Sequence, residues 1–396
     1  MSSERPAEVI YLDHAATTPV DPEVVRAMQQ VLSPAGTFAN PASTHSAGRR
    51  SHARVERARR QVAELLHTEP DCLVFTSGAT ESNNLAILGA ARNRAHRGRH
   101  LITMRTEHKA VLDTFAALER DGFTVTRLSP DENGLLATAT LEAAFRDDTQ
   151  LVSVMHVNNE TGVIQDIAAI GAACQRHNIL FHCDAAQSAG KLPLDLARLP
   201  IDLLSLTAHK FHGPQGTGAL YLADRTGCNI APLMHGGGQE RRLRPGTLPI
   251  HQIAGFGAAA ELALAHQTED LARLRMLNDR LWQGICSLPG VLRNGAAELA
   301  FPGILNVSAA DVDGESLLLA LEPVCAASGS ACNSLSGEPS YVLRALGRDD
   351  RLAQSAVRFS FGRTTTIQDI DRAIDKYRFS INKLRSIGPA VERLAG

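Results

Sequence analysis

Residues 179–222 read ILFHCDAAQSAGKLPLDLARLPIDLLSLTAHKFHGPQGTGALYL. Three short apolar runs, ILFHCD, LLSLTA and GALYL, are separated by longer connections. Upstream, LVFTS, HLITM, TVTRLS and LVSVMHV carry the same pattern back to about residue 73, alternating with helical patterns. Seven such runs predict an α/β domain on a large, mostly parallel sheet. In open sheets of this kind the ligand sits outside the carboxyl ends of the strands, so polar groups placed there should converge. Asn158, Asn159 and Glu160 follow LVSVMHV; Asp184 and Gln187 follow ILFHC; Thr207, His209 and Lys210 follow LLSL.

Another run, LVFTSGATESNNLAI, passes from strand through Gly78 into a helix starting near Thr80. The first backbone N–H groups of that helix and its positive dipole end suit a phosphate. A phosphate-bearing ligand between an Asp and a Lys points to pyridoxal phosphate. That cofactor needs a lysine amine for a Schiff base, a carboxylate to keep its pyridine nitrogen protonated, and an anion cradle. The spacing from Asp184 to Lys210 is about one β-α-β step, which predicts neighbouring strand tips. Singly these signals are weak, because a lone Lys is usually a solvated charge and an Asp after a strand is usually a cap. Their joint order is what carries the reading.

With 396 residues and 44 % hydrophobic content, the chain can bury a large core and predicts two domains. A long helical stretch from Ile253 to Leu288 places their boundary near residue 266, followed by an α+β mixture. The final helix repeats Ile367, Ile370, Ile374, Tyr377, Ile381 and Leu384 on one face after a Thr366 cap, which reads as core packing. Lys+Arg (40) nearly cancel Asp+Glu (42), so no global field recruits nucleic acid or an anionic membrane. The first residues lack a secretory pattern and no window approaches about 18 apolar residues, so a soluble cytoplasmic protein is expected. Seven cysteines without a C-x-x-C pair argue against a disulfide framework or zinc ribbon. Gly213-Pro214 breaks any helix that would aim His209 and His212 at one metal, so no metal site is expected.

The segments YLDHAATTPVDP, NPASTHSAGR, FTSGATESNNLAI, TEHKAVLDT, MHVNNETGVIQDI, CDAAQSAGKLPLDL, SLTAHKFHGPQGTGALYL, HGGGQERRLRPGTLP and SGSACNSLSGEPSYVLRALG resemble the cysteine desulfurases of the IscS/NifS type. They run in family order from residue 11 to about 363. The resemblance implies a fold type I pyridoxal-phosphate transferase and a homodimer. Its large sheet domain would span 19–265, and a smaller α+β domain would combine 1–18 with 266–396. Lys210 resembles the Schiff-base lysine, Asp184 the partner of the pyridine nitrogen, and His108 the residue stacked on the ring and a candidate acid/base. By the same resemblance Gln187 contacts the ring's hydroxyl side and Asn159 the ring and substrate. Ala79, Thr80, Thr207 and His209 hold the phosphate, with Thr247 reaching it from the other subunit. Arg358 resembles the clamp for the substrate carboxylate, a task suited to a planar bidentate guanidinium. Thr207-Ala208-His209 stands where Ser-Gly-His is common in the family; Thr keeps the hydroxyl, and the phosphate contact is expected to survive.

Within ASGSACNSLSGEPS, residues 327–340, Cys332 lies among serines and glycines, a setting that reads as a solvent-facing loop rather than core. The resemblance makes it the thiol that takes sulfur from L-cysteine as a persulfide, leaving L-alanine, and carries it to an acceptor. About six extended residues on either side would span up to roughly 20 Å. Cys332 is also a possible transient iron–sulfur ligand. Cys325, in the apolar run VCAAS, is expected to be a structural contrast. The acceptor stays open, a protein such as an iron–sulfur scaffold or a thiolation carrier: iron–sulfur assembly, tRNA thiolation, thiocofactor synthesis and DNA sulfur modification could all draw on the same persulfide. Two rival readings also stand, a selenocysteine lyase or related pyridoxal-phosphate β-lyase, and a non-catalytic sulfur or iron–sulfur carrier.

Overall fold

The structure, a computed structural model, describes residues 9–225, 228–328 and 338–387. It opens with a short strand β1 (Ile10–Tyr11) and two helices, α1 (Pro22–Leu32) and α2 (Ser46–Leu65). Asp21 caps α1 by accepting from the Glu23 N–H, with Pro22 at the first helical position, where a missing N–H costs nothing. The predicted runs then form strands β2 (Leu73–Thr76), β3 (His100–Met104), β4 (Thr124–Leu128), β5 (Thr149–Met155), β6 (Leu180–Asp184), β7 (Leu203–Thr207) and β8 (Gly218–Leu222). Helices α3 (Ala79–Asn93), α4 (Lys109–Arg120), α5 (Thr138–Ala143) and α6 (Ile167–Arg176) connect β2 through β6.

The seven strands form one sheet in the order β2-β8-β7-β6-β5-β3-β4. All neighbours are parallel except β8, which runs antiparallel to both β2 and β7. Every residue of β5, β6 and β7 is buried, as expected where helices cover both faces of a parallel sheet. The cross-strand register pairs Met155 with Asp184 and Asp184 with Ser205. Strands β5, β6 and β7 therefore end at the same rim, and the connections leaving their carboxyl ends enter one shared space.

A single helix, α7 (Ile250–Ile285), carries the chain across residue 266. Beyond it lie β9 (Val291–Arg293), β10 (Ile304–Ala309), α8 (Gly314–Ala320), β11 (Val324–Cys325), β12 (Ala327–Ser328), α9 and α10 (Tyr341–Ala345 and Asp350–Gln354), β13 (Val357–Ser360) and α11 (Ile367–Ile387). A four-stranded sheet has the order β12-β13-β10-β9, while β1 pairs with β11 in a separate two-stranded ladder. Ile10, Leu12 and Ala15 pack with Leu277, Val307, Phe359 and Tyr377 in a core distinct from those flanking the large sheet.

Two expectations change. Cys325 is exposed, because its two-residue strand has a partner only in β1. On α11, Ile370, Tyr377 and Ile381 are buried, and Ile374 and Leu384 are partly buried against the same core, but Ile367 at the first position is 41 % exposed. The Ile367 position precedes the first turn that faces the core. Ile370→Ala is therefore expected to cost about 2–5 kcal/mol in urea unfolding, and Ile367→Ala less than about 1 kcal/mol. Equal costs would show that α11 does not dock as described.

Candidate active site

The sheet rim opens into a cavity of about 550 Å³. Ten of the twelve predicted site residues line it: Ala79 and Thr80 after β2, His108 after β3, Asn159 after β5, Asp184 and Gln187 around the end of β6, Thr207, His209 and Lys210 after β7, and Arg358 from β13. Thr247 is exposed and lies outside this cavity, just before α7. Cys332 lies outside the described residues.

Gly78 turns the chain between β2 and α3 with φ 151°, a conformation that side-chain-bearing residues avoid. Conformation, not space, selects glycine, since an added Cβ would meet only Thr207 Oγ1, at 3.7 Å. The turn aims the unpaired N–H groups of α3 into the cavity. Glu81 in that first turn accepts from the Ser77 N–H at 2.7 Å and from Arg244 Nε at 2.9 Å, fixing the turn from both sides.

Asp184 Oδ2 accepts from Asn83 Nδ2 at 2.7 Å and Oδ1 from the Ala186 N–H at 2.9 Å, so the carboxylate is oriented by both oxygens. Asn83 is fully buried inside α3 and was not singled out by sequence, where an asparagine in a helical run carries no such signal. Glu107, also missed, is fully buried beside the rim and accepts from the Met155 N–H at 2.9 Å. Burial, with a smaller push from Asp184, raises its carboxyl well above the usual range. Burial thus works against a second negative charge beside Asp184.

Lys210 Nζ donates to the carbonyls of Ala15 and Ala16 at 2.5 and 2.7 Å. Gln187 Nε2 donates to the same Ala15 carbonyl at 2.8 Å. His209 Nδ1 lies 3.1 Å from Thr17 Oγ1, and burial lowers its imidazole to about 4, aided by Lys210 and Lys191. His108 caps α4 by accepting the Ala110 N–H at Nδ1, at 3.1 Å. That bond assigns the ring hydrogen of a neutral His108 to Nε2. Arg358 is 1 % exposed, and its guanidinium donates to Asn159 O at 2.8 Å and Asp13 Oδ1 at 2.7 Å. Asn158 and Glu160, expected at the rim, serve the structure instead. Asn158 Oδ1 accepts the N–H groups of Glu160 and Thr161, and Glu160 Oε2 accepts from Ser340 Oγ at 2.5 Å.

The described residues flanking Cys332 both return to this site. Ala327 pairs with Arg358 across β12 and β13, and Ser340 is bonded to Glu160, the neighbour of Asn159.

Residues 10–373 match the family model described as aminotransferase class-V. The chain belongs to the class-V aminotransferase family. Among class-V relatives, a cysteine desulfurase IscS from Salmonella schwarzengrund is 55 % identical over 384 residues, covering 97 % of this chain and 95 % of the relative. A solved NifS-like protein superposes with a TM-score of 0.89 at 35 % identity, covering 95 % of this chain and all of that one. A structure described as SspA in complex with cysteine has a TM-score of 0.79 at 39 % identity, over 90 % of this chain and 99 % of the other. In this class-V chain the sheet rim therefore presents an amine, an oriented carboxylate, a helix N-terminus and a buried guanidinium within one cavity.

Four histidines are held neutral by burial, His14 and His182 lowered to about 3 and His156 and His209 to about 4. The unfolded chain protonates them near pH 6.5, so below that value it binds protons the folded chain refuses. Their contribution to stability is complete above about pH 7 and shrinks as pH falls toward 4. Urea midpoints are expected to drop steadily from pH 7 to 5; a flat profile over that range would contradict the neutral assignment.

Proposed function

We propose that this chain is a cysteine desulfurase, converting L-cysteine to L-alanine and passing the sulfur to Cys332 as a persulfide, then to an acceptor. The observation that carries this reading is the meeting of Lys210, Asp184, the start of α3 and Arg358 in one cavity. It occurs in a chain 55 % identical to a cysteine desulfurase along nearly its full length.

Pyridoxal phosphate fits the residues present. Asn159 Oδ1 and Arg358 Nε are buried without hydrogen-bond partners among the described residues, as expected of groups whose partners belong to a ligand. Lys210 would hold the cofactor covalently and Asp184, steadied by Asn83, would face its ring nitrogen. His108 would lie against the ring and Gln187 would face its hydroxyl oxygen. The N–H groups of Ala79 and Thr80, with Thr207 and His209, would hold its phosphate. Exposed Thr247 would complete the cradle of a second copy, which makes the homodimer the working unit. Bound pyridoxal phosphate supplies an electron sink that makes the substrate's Cα proton and its Cβ–S bond labile.

The chain's own groups supply the rest. Arg358 is fixed in place by Asp13 and Asn159, and its unpartnered Nε leaves a donor for the substrate carboxylate. Lys210 Nζ, aimed by two backbone carbonyls, is the base for the Cα proton. His108, with its hydrogen on Nε2, is a second acid for proton delivery. The Cys332 thiolate attacks the substrate sulfur: an S–S bond forms, the Cβ–S bond breaks with its electron pair going to carbon, and a proton there completes alanine.

We also assign a large domain to 19–265 and a small one to 1–18 with 266–396, supported by the separate core around Leu277, Val307 and Tyr377. No described helix is long and apolar enough to cross a membrane, and a cytoplasmic setting suits a reduced thiol. L-Cysteine added to the enzyme is expected to yield alanine and one added sulfur mass on the Cys332 peptide. Cys332→Ala should lose both, and Lys210→Ala should lower kcat/KM by about 10²-fold or more. Undiminished alanine formation in Cys332→Ala would favour a lyase, and no alanine from cofactor-loaded wild type would favour a carrier.

A further inference from the structure

A second lysine stands behind the cavity. Lys191, part-buried, donates from Nζ to Gln187 Oε1 at 2.9 Å and lies 5.4 Å from the centre of the Phe301 ring. It also lines a small interior cavity of about 40 Å³ that touches Lys210, room for a few waters at most. None of the ion pairs among the described residues includes Lys191. The one carboxylate among the residues lining that cavity, Asp270 of α7, is taken by Arg363 at 2.8 Å. The other titratable groups around it are His14 from the N-terminal arm, Lys210 and His212 after β7, Arg273 from α7 and Arg363 after β13. His209 and Arg358 act on it or feel it through space. Every one is cationic or a neutral histidine.

Such an arrangement offers Lys191 no anion that is not already paired. An enclosed ammonium beside Lys210 and Arg358, without a carboxylate, is unfavourable in the empty protein, and its amine is accordingly lowered to about 7. Gln187 shows where the anion belongs. An ammonium only donates, so the amide oxygen must face Lys191; a carbonyl only accepts, so Nε2 must face Ala15. One Nε2 hydrogen goes to Ala15 and the second remains for the cavity that Gln187 lines.

We propose that Lys191 is a positioning residue of the reaction: it locks the Gln187 amide with its NH₂ group toward the ligand, and its charge favours the anionic form of the ring oxygen that Gln187 faces. This rests on the pyridoxal phosphate reading. A neighbouring positive charge disfavours protonation of the bound ring system, so removing it must raise the pH at which that system protonates.

The test is a pH titration of the visible absorbance of cofactor-loaded wild type, Lys191→Met and Lys191→Arg, with thermal unfolding run alongside. Lys191→Met is expected to move the absorbance midpoint upward by about one pH unit, and Lys191→Arg, which keeps charge and donor, to restore it to near the wild-type value. A Lys191→Met midpoint equal to wild type would overturn the inference. So would Lys191→Arg shifted as far as Lys191→Met, or, should Lys191→Met fail to fold, a Lys191→Gln protein titrating as wild type. A wild type that takes up no cofactor would overturn the function reading itself, an outcome distinct from any of these.

Discussion

One short segment, residues 10–18, a strand that ends in a turn over 14–16, is the constraint on which the site depends. Tyr11 and Ile10 pair with β11, Asp13 accepts from Arg358, and the Ala15 N–H donates to Ser360 Oγ at 2.8 Å. The Ala15 carbonyl accepts from both Lys210 and Gln187, and Thr18 is bonded to the His209 carbonyl through its backbone and its hydroxyl. This short segment thus joins the small core to the end of the large sheet. Its backbone supplies the acceptors that aim the key amine. Carbonyls fixed on both sides by strand pairing and side-chain bonds cannot drift, so the amine direction is set before any ligand arrives.

The charges of the site follow a simple pattern. Lys210 and Arg358 bring positive charge, the nearby histidines are neutral because burial disfavours their protonation, and of the two carboxylates lining the cavity Glu81 is paired with Arg244, which leaves Asp184. Glu107 is close by, but its burial disfavours a second negative charge there. A cavity of this sign suits a ligand with a phosphate and a carboxylate, while the oriented Asp184 gives it one place for a protonated ring nitrogen. A sulfur-accepting thiol then needs access rather than burial, and the described residues on either side of 329–337 contact Arg358, through Ala327, and Glu160, through Ser340.

Much of this was legible in the chain. Runs of consecutive apolar residues marked the strands of the large sheet, since strands covered on both faces need no alternation, and polar residues just past LVSVMHV, ILFHC and LLSL marked its rim. What was not legible is what backbone and three-dimensional packing supply. The carbonyls of Ala15 and Ala16 carry no side-chain signature, and Asn83 reads as one more polar residue in a helix. Lys191 reads as a surface charge until its bond to Gln187 is seen. Asn158 and Glu160 share the local pattern of Asn159, yet they bond to the turn and to Ser340, because only alternate positions of that turn face the cavity. Ile367 begins a periodic helix face and Cys325 stands in an apolar run, each at an end that leaves the core, which periodicity alone does not report.

The most direct test of the central claim is borohydride reduction of the enzyme loaded with pyridoxal phosphate, with peptide mass mapping of the product. One stable pyridoxyl phosphate adduct per chain is expected, on Lys210. An adduct on Lys191 or elsewhere, or no adduct from a protein that retains the cofactor's colour, would contradict the assignment of Lys210 as the cofactor-binding amine.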